Sequence, residues 1–198
     1  MNLPNKLTVS RIIMTPLFMA AMLFSKIPYN YTAALILFAV ASFTDFLDGK
    51  IARKRGIVTN FGKFLDPVAD KMLTTAALLG FIVILDNKSF AIQITVMAFL
   101  TLFREFAVAS IRLIAVSSAT KKVIPANIWG KLKTVFQMAS IISGLLAYSV
   151  KEFIPLSDAV WDVMMYIFIT ISWLAAVTGI ISGVIYLIES KEYLDSSK

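Results

Sequence analysis

Four carboxylates, Asp45, Asp48, Asp66 and Asp70, interrupt sequence that is otherwise almost continuously apolar. Asp45 and Asp48 are three residues apart and Asp66 and Asp70 four apart, and both spacings put a pair on one face of a helix. Two such pairs facing each other across a short basic loop would gather four acidic side chains in one pocket, where like charges repel strongly unless a cation neutralises them. The pattern asks for a divalent metal. With no Cys and no His in the chain, ligation is by oxygen alone, which favours Mg²⁺ or Mn²⁺ over zinc or copper. The same two absences exclude disulfides, thiolate catalysis, iron–sulfur chemistry, a histidine base and a phosphohistidine intermediate.

The elements that must hold these groups are membrane helices. The chain has 198 residues, 59% of them hydrophobic, and a mean hydropathy of +0.81, well outside the soluble globular range. Apolar stretches at 12–24, 32–46, 67–85, 90–116, 134–150 and 160–188 predict six helices. Several depart from the ~20 residues that cross the hydrocarbon, so tilt or extension beyond the bilayer is expected. The second is expected to continue through Asp48 to Arg53, and Pro67 is expected in the first turn of the third. The N-terminal segment, with Pro4 able to begin a helix, reads as an interfacial lead into a retained first span, because no small-residue cleavage site follows.

Orientation follows from the basic residues. Lys50, Arg53, Lys54, Arg55 and Lys63 share one connection and Lys121, Lys122, Lys131 and Lys133 another, whereas Lys26, Lys88 and Lys151 stand alone in theirs. This bias puts both termini and the acidic pairs on the cytoplasmic side of the membrane. The net charge of +7 fits the same surface, and no basic helix or aromatic-interleaved patch suggests nucleic acid. The whole of residues 1–198 reads as a single all-α, multi-pass transmembrane domain without soluble extension, linker or internal repeat.

Asp45, Asp48, Gly49, Ala52, Arg53, Gly62, Asp66 and Asp70 spell DxxDGxxAR, eight further residues, then GxxxDxxxD. This resembles the signature of the CDP-alcohol phosphotransferases at every defined position. The resemblance implies a membrane enzyme that moves a phosphatidyl or similar group from a CDP-linked donor to an alcohol and releases CMP, and that works as a homodimer. It implies Asp45, Asp48 and Asp66 as ligands of one or two metal ions and Asp70 as general base, with metal contact by Asp70 left open. Asn5, Thr8 and Arg11, recurring every three residues, fit a polar helix start with a snorkelling arginine as well as a ligand-lining face. The resemblance implies the second, at the nucleotide site. Gly49, Ala52 and Gly62 suit close helix packing, or approach of a flat nucleoside to the backbone, and Arg53 offers a fork of donors to the donor phosphate.

Beyond the signature, Arg104 and Arg112 are eight apart in the fourth apolar stretch, and Lys131 and Lys133 precede Thr134. Cations beside a metal site make sense when an anionic substrate compensates them, which suggests a phosphorylated acceptor. The alternative pairs Arg104 with Glu105 or Asp70 and lets Arg112 snorkel. The stretch LFREFAVASIR, followed by GKLKT and Gln137, is similar to the bacterial branch of the family that makes phosphatidylglycerophosphate. That similarity implies CDP-diacylglycerol as donor and glycerol 3-phosphate as acceptor. Branches using serine, inositol phosphate or phosphatidylglycerol are the nearest rivals. A cation-coupled transporter would spread its carboxylates through the bilayer depth and repeat its halves; here they cluster in one half. Gly179 and Gly183 form a GxxxG that serves close packing or dimerisation.

Overall fold

The computed structural model describes the backbone of residues 3–55, 60–117 and 127–195 and the side chains of residues 5–45, 65, 67–113 and 127–190. Six helices account for nearly all of it: α1 (Leu3–Leu23), α2 (Asn30–Arg55), α3 (Asn60–Ile84), α4 (Lys88–Ser117), α5 (Ile128–Phe153) and α6 (Asp158–Asp195). The six helices expected from the apolar stretches are therefore present, and α2 does run past Asp48 to Arg55. The N-terminal segment is not a separate element, because α1 is continuous from Leu3.

Pro67 lies inside α3 and not in its first turn. The helix begins at Asn60, beyond the apolar run, so the amide missing at Pro67 leaves a carbonyl four residues back without its usual partner. Pro67 is exposed and lines an open cavity, so the ring is not forced against a neighbouring helix.

Among the described residues, four helices are long and apolar enough to cross a membrane, over Asn5–Leu23, Pro67–Ile84, Lys88–Leu113 and Asp158–Ser190. Their outward faces carry Ile13, Leu17, Val83, Phe99, Phe103 and Leu113, all more than half exposed. Such a surface suits lipid and not water. Inside, Phe18, Phe38, Phe81, Ile94, Leu145 and Phe168 form one core with almost no exposure. Phe81 and Phe168 meet at 4.6 Å between ring centres, and a Cβ at Gly144 would stand only 2.6 Å from Phe81. That contact fixes how closely α5 approaches α3 and α6.

Contacts at the two ends show the helices alternating in direction. At one end Glu152, closing α5, accepts hydrogen bonds from the Tyr31 and Thr32 amides at 2.8 and 2.9 Å and from Thr32 Oγ1 at 2.6 Å. A carboxylate thus caps the start of α2, satisfying orphan amides and facing the positive end of the helix dipole. Tyr148 adds a bond to the Ile84 carbonyl ending α3 at 3.1 Å. Glu152→Ala is expected to cost about 1–3 kcal/mol of stability, read as a lowered Tm in detergent.

Candidate active site

The buried side of α1 reads Asn5, Thr8, Arg11, Thr15, Phe18 and Met22. These positions follow the three- and four-residue spacing of one helix face, and the face changes from polar to apolar along its length. The polar half meets the end of α2 and the start of α3. There Arg11, only 1% exposed, places the single guanidinium nitrogen Nη1 2.6 Å from Asp45 Oδ1 and 2.8 Å from Asp70 Oδ1. The carboxylates themselves are 44% and 56% exposed. Arg11 is therefore the wall behind them, and both carboxylates line the space in front of it.

That space is a cavity of about 1330 Å³ lined from α1, α2, α3, α4 and α5. Arg11, Asp45, Asp70, Lys71, Glu105 and Lys133 make its polar part, while Met19, Met72, Leu79, Leu102 and Phe106 line the rest. Such a division accommodates an amphiphile, with head group and hydrocarbon meeting matching walls.

On the α4 and α5 side, Glu105 Oε1 accepts from Lys133 Nζ at 2.7 Å and from Arg104 Nη1 at 3.1 Å, and Oε2 lies 3.7 Å from Lys71 Nζ. Arg104 turns its other terminal nitrogen to Ser182 Oγ at 2.7 Å. Ser182 in turn donates to Asn127 Oδ1 at 2.8 Å, and the same oxygen accepts the Gly130 amide, capping α5. The cap that starts α5 is thus docked on α6. Arg112 donates to the Tyr186 hydroxyl at 2.7 Å and lies over its ring, 5.2 Å from the centre.

The sequence-derived residues thus separate into groups. Arg11, Asp45, Asp70 and Lys133 share the cavity wall. Asn5 and Thr8 are buried on the same face of α1 as Arg11, outside the cavity lining. Arg104 and Arg112 are held on α6 and Lys131 is exposed on α5; none of the three lines the cavity. Asp48, Gly49, Ala52 and Arg53 fall on α2, and Gly62 and Asp66 on α3, but their side chains lie outside the described residues. Sequence reasoning took Glu105 only as a partner for Arg104 and did not single out Lys71, Ser182 or Tyr186. For the last two a signal existed: Thr178, Ser182, Tyr186 and Ser190 are four apart on an otherwise apolar helix, and all are buried.

No group of three or more metal-binding side chains is assembled among the described residues. The donors that are described nevertheless fit a hard divalent ion. Asp45 and Asp70 converge on one positive group and both line the cavity, and the chain contains no thiolate or imidazole to compete.

The chain is similar over most of its length to proteins of one family. The chain is 36% identical to the CDP-diacylglycerol–glycerol-3-phosphate 3-phosphatidyltransferase of Bacillus subtilis (strain 168), over 99% of this chain and 98% of that protein. It is 35% identical to the protein of the same name from Rickettsia bellii (strain RML369-C), over 97% of each chain. A Haemophilus influenzae protein of that name is 36% identical over 73% of this chain and 75% of its own length. The profile of the family described as CDP-alcohol phosphatidyltransferase matches residues 1–181, a stretch that includes every residue lining the cavity. The chain belongs to the CDP-alcohol phosphatidyltransferase family.

Proposed function

We propose that the protein transfers the phosphatidyl group of CDP-diacylglycerol to the 1-hydroxyl of sn-glycerol 3-phosphate, giving phosphatidylglycerophosphate and CMP. The observation that carries this reading is the convergence of Asp45 and Asp70 on Arg11 at the polar part of a cavity whose remaining walls are apolar. The names of the relatives in Bacillus and Rickettsia support the choice of substrates. In this reading all six helices cross the membrane, α2 and α5 included, both termini face the cytoplasm of a bacterial cell, the chain is a single domain, and two copies form a homodimer.

The donor lies with its acyl chains along Met19, Met72 and Leu79 and its pyrophosphate toward Asp45 and Asp70. Asp45, Asp48 and Asp66 would hold Mg²⁺ or Mn²⁺, with Asp70 adjoining. When bound, the ion supplies charge stabilisation at the pyrophosphate. Asn5, Thr8, Arg11, Gly49, Ala52, Arg53 and Gly62 shape the nucleotide side. The acceptor hydroxyl gives its proton to Asp70 as its oxygen forms a bond to the diacylglycerol-linked phosphorus. The bond from that phosphorus to the CMP oxygen breaks, and CMP leaves.

Lys133 meets the acceptor phosphate at the cavity wall, with Arg104, Arg112 and Lys131 adding positive charge around it. Arg112→Ala is expected to raise the KM for glycerol 3-phosphate severalfold with little change in kcat. An unchanged KM would make the Tyr186 contact a packing feature only.

The test of the reaction is CMP release by purified protein from CDP-diacylglycerol with Mg²⁺ or Mn²⁺. Glycerol 3-phosphate, serine, inositol phosphate and phosphatidylglycerol serve as parallel acceptors. Release that depends on both metal and glycerol 3-phosphate is the expected result. Release with another acceptor would retain the family and overturn the substrate.

A further inference from the structure

Glu105 is a carboxylate in a place where the proposed reaction has no use for one. It lines the cavity beside Lys133, on the side that would receive a phosphate dianion. A lone acid there would repel the acceptor. The structure surrounds it with three cations from three helices: Lys71 of α3 at 3.7 Å, its own neighbour Arg104 of α4 at 3.1 Å, and Lys133 of α5 at 2.7 Å.

We infer that Glu105 is a positioning residue that fixes the cations meeting the acceptor phosphate and sets their net charge. Lys133 has a flexible four-carbon stem and a point charge, so it presents that charge at a defined place only if something holds it. Its ammonium is buried, and a buried cation without a counter-charge is unfavourable. Glu105 supplies both the anchor and the counter-charge. Arg104 is braced from behind by Ser182 at 2.7 Å, so the cluster is tied to α6 as well as to α3, α4 and α5.

The balance of charge then bears on specificity. Lys71 and Lys133 line the cavity with Glu105 and Arg104 stands behind them, so three cations to one carboxylate leave the cluster an excess of two positive charges. A phosphate monoester carries about −1.5 to −2 at neutral pH, so it matches that excess, whereas a zwitterionic or uncharged alcohol leaves it uncompensated. This inference rests on the reading of a phosphorylated acceptor given above.

The test is the steady-state kinetics of the full-length protein in detergent with CDP-diacylglycerol and glycerol 3-phosphate. Glu105→Gln is expected to raise the KM for glycerol 3-phosphate about tenfold, with kcat and the KM for CDP-diacylglycerol changed less than about threefold. Glu105→Asp keeps the charge with a shorter reach and should restore part of that loss. If Glu105 works through Lys133, Glu105→Gln added to Lys133→Ala should raise the KM by no more than about twofold beyond Lys133→Ala alone.

An unchanged acceptor KM in Glu105→Gln, a full additional tenfold in the double variant, or equal losses for both substrates would overturn the inference. Should Glu105→Gln not yield folded protein, the Glu105→Asp variant decides by the same split between the two KM values. If instead the unaltered protein releases no CMP with glycerol 3-phosphate, it is the proposed reaction that fails, so the two failures are distinguishable.

Discussion

Asp70→Asn is expected to lower kcat for CMP release by about 10³-fold, within the range typical of removing a general base, while the KM for CDP-diacylglycerol stays within a few fold. The amide keeps the shape of the side chain and an oxygen that can still accept from Arg11, now 2.8 Å away. Arg11 also retains its 2.6 Å contact to Asp45, so the junction of α1, α2 and α3 should hold. In the proposed reaction, what is lost is the ability to take a proton from the acceptor hydroxyl. Two further measurements separate this from loss of a metal ligand. If Asp70 acts mainly on the metal, raising Mn²⁺ should restore activity to Asp70→Asn. If it acts as the base, activity stays low at every metal concentration, and Asp45→Asn is the variant whose metal requirement rises. Full activity in Asp70→Asn would remove Asp70 from the chemistry.

The helices and the acidic pairs were legible for different reasons. Long apolar stretches identify helices because, away from water, a chain must satisfy its own backbone, and the six expected helices agree with the six found. Asp45 and Asp70 stand out against apolar sequence, and they meet at Arg11 because α1 keeps one buried face from Asn5 to Met22. The partners of the remaining cations were harder to read. Whether Arg104 faces a substrate or a neighbouring helix depends on which side of α4 meets α6, and eight-residue spacing fixes a face without saying what that face touches. The serine that bonds Arg104 lies 78 residues further along, and although the four-residue spacing of polar residues on α6 marks it as part of a buried face, nothing in that spacing says which helix the face meets. Pro67 misled for a related reason. Apolar composition marks where the membrane-crossing part of α3 begins, at Pro67, and the polar turns that extend the helix back to Asn60 carry no such mark.

Polar residues in this bundle fall into two kinds. Some satisfy one another and hold helices together: Ser140 bonds Ser172 between α5 and α6, and Glu152 caps α2. Others, among the described residues, line the cavity as charged groups: Arg11, Asp45, Asp70, Lys71, Glu105 and Lys133. Asp45 and Asp70 are about half exposed although their shared partner is almost fully buried. Both line the cavity, where a bound ligand would reach them, and their exposure spares the pair the desolvation cost of full burial.

Arg11 is accordingly the second position where a large effect is expected. Arg11→Ala removes the positive group that holds Asp45 and Asp70 together. The two carboxylates can rehydrate in the cavity, so the stability cost should be moderate, about 1–3 kcal/mol and below the usual figure for stranding a fully buried charge. The functional cost should be larger, a fall in kcat/KM for CDP-diacylglycerol of at least about 10²-fold, because a small displacement of reacting groups is that costly. Arg11→Lys separates the two effects. Lysine keeps the charge, so the Tm in detergent should recover most of its loss, but its ammonium, on a shorter and more flexible stem, cannot hold both carboxylates at the one point where Arg11 Nη1 meets them. Stability would return without activity. An Arg11→Lys enzyme with unaltered turnover would reduce Arg11 to a counter-ion. An Arg11→Ala enzyme that lost its fold but not, when stabilised by lipid, its activity would show that Asp45 and Asp70 are positioned by their helices alone.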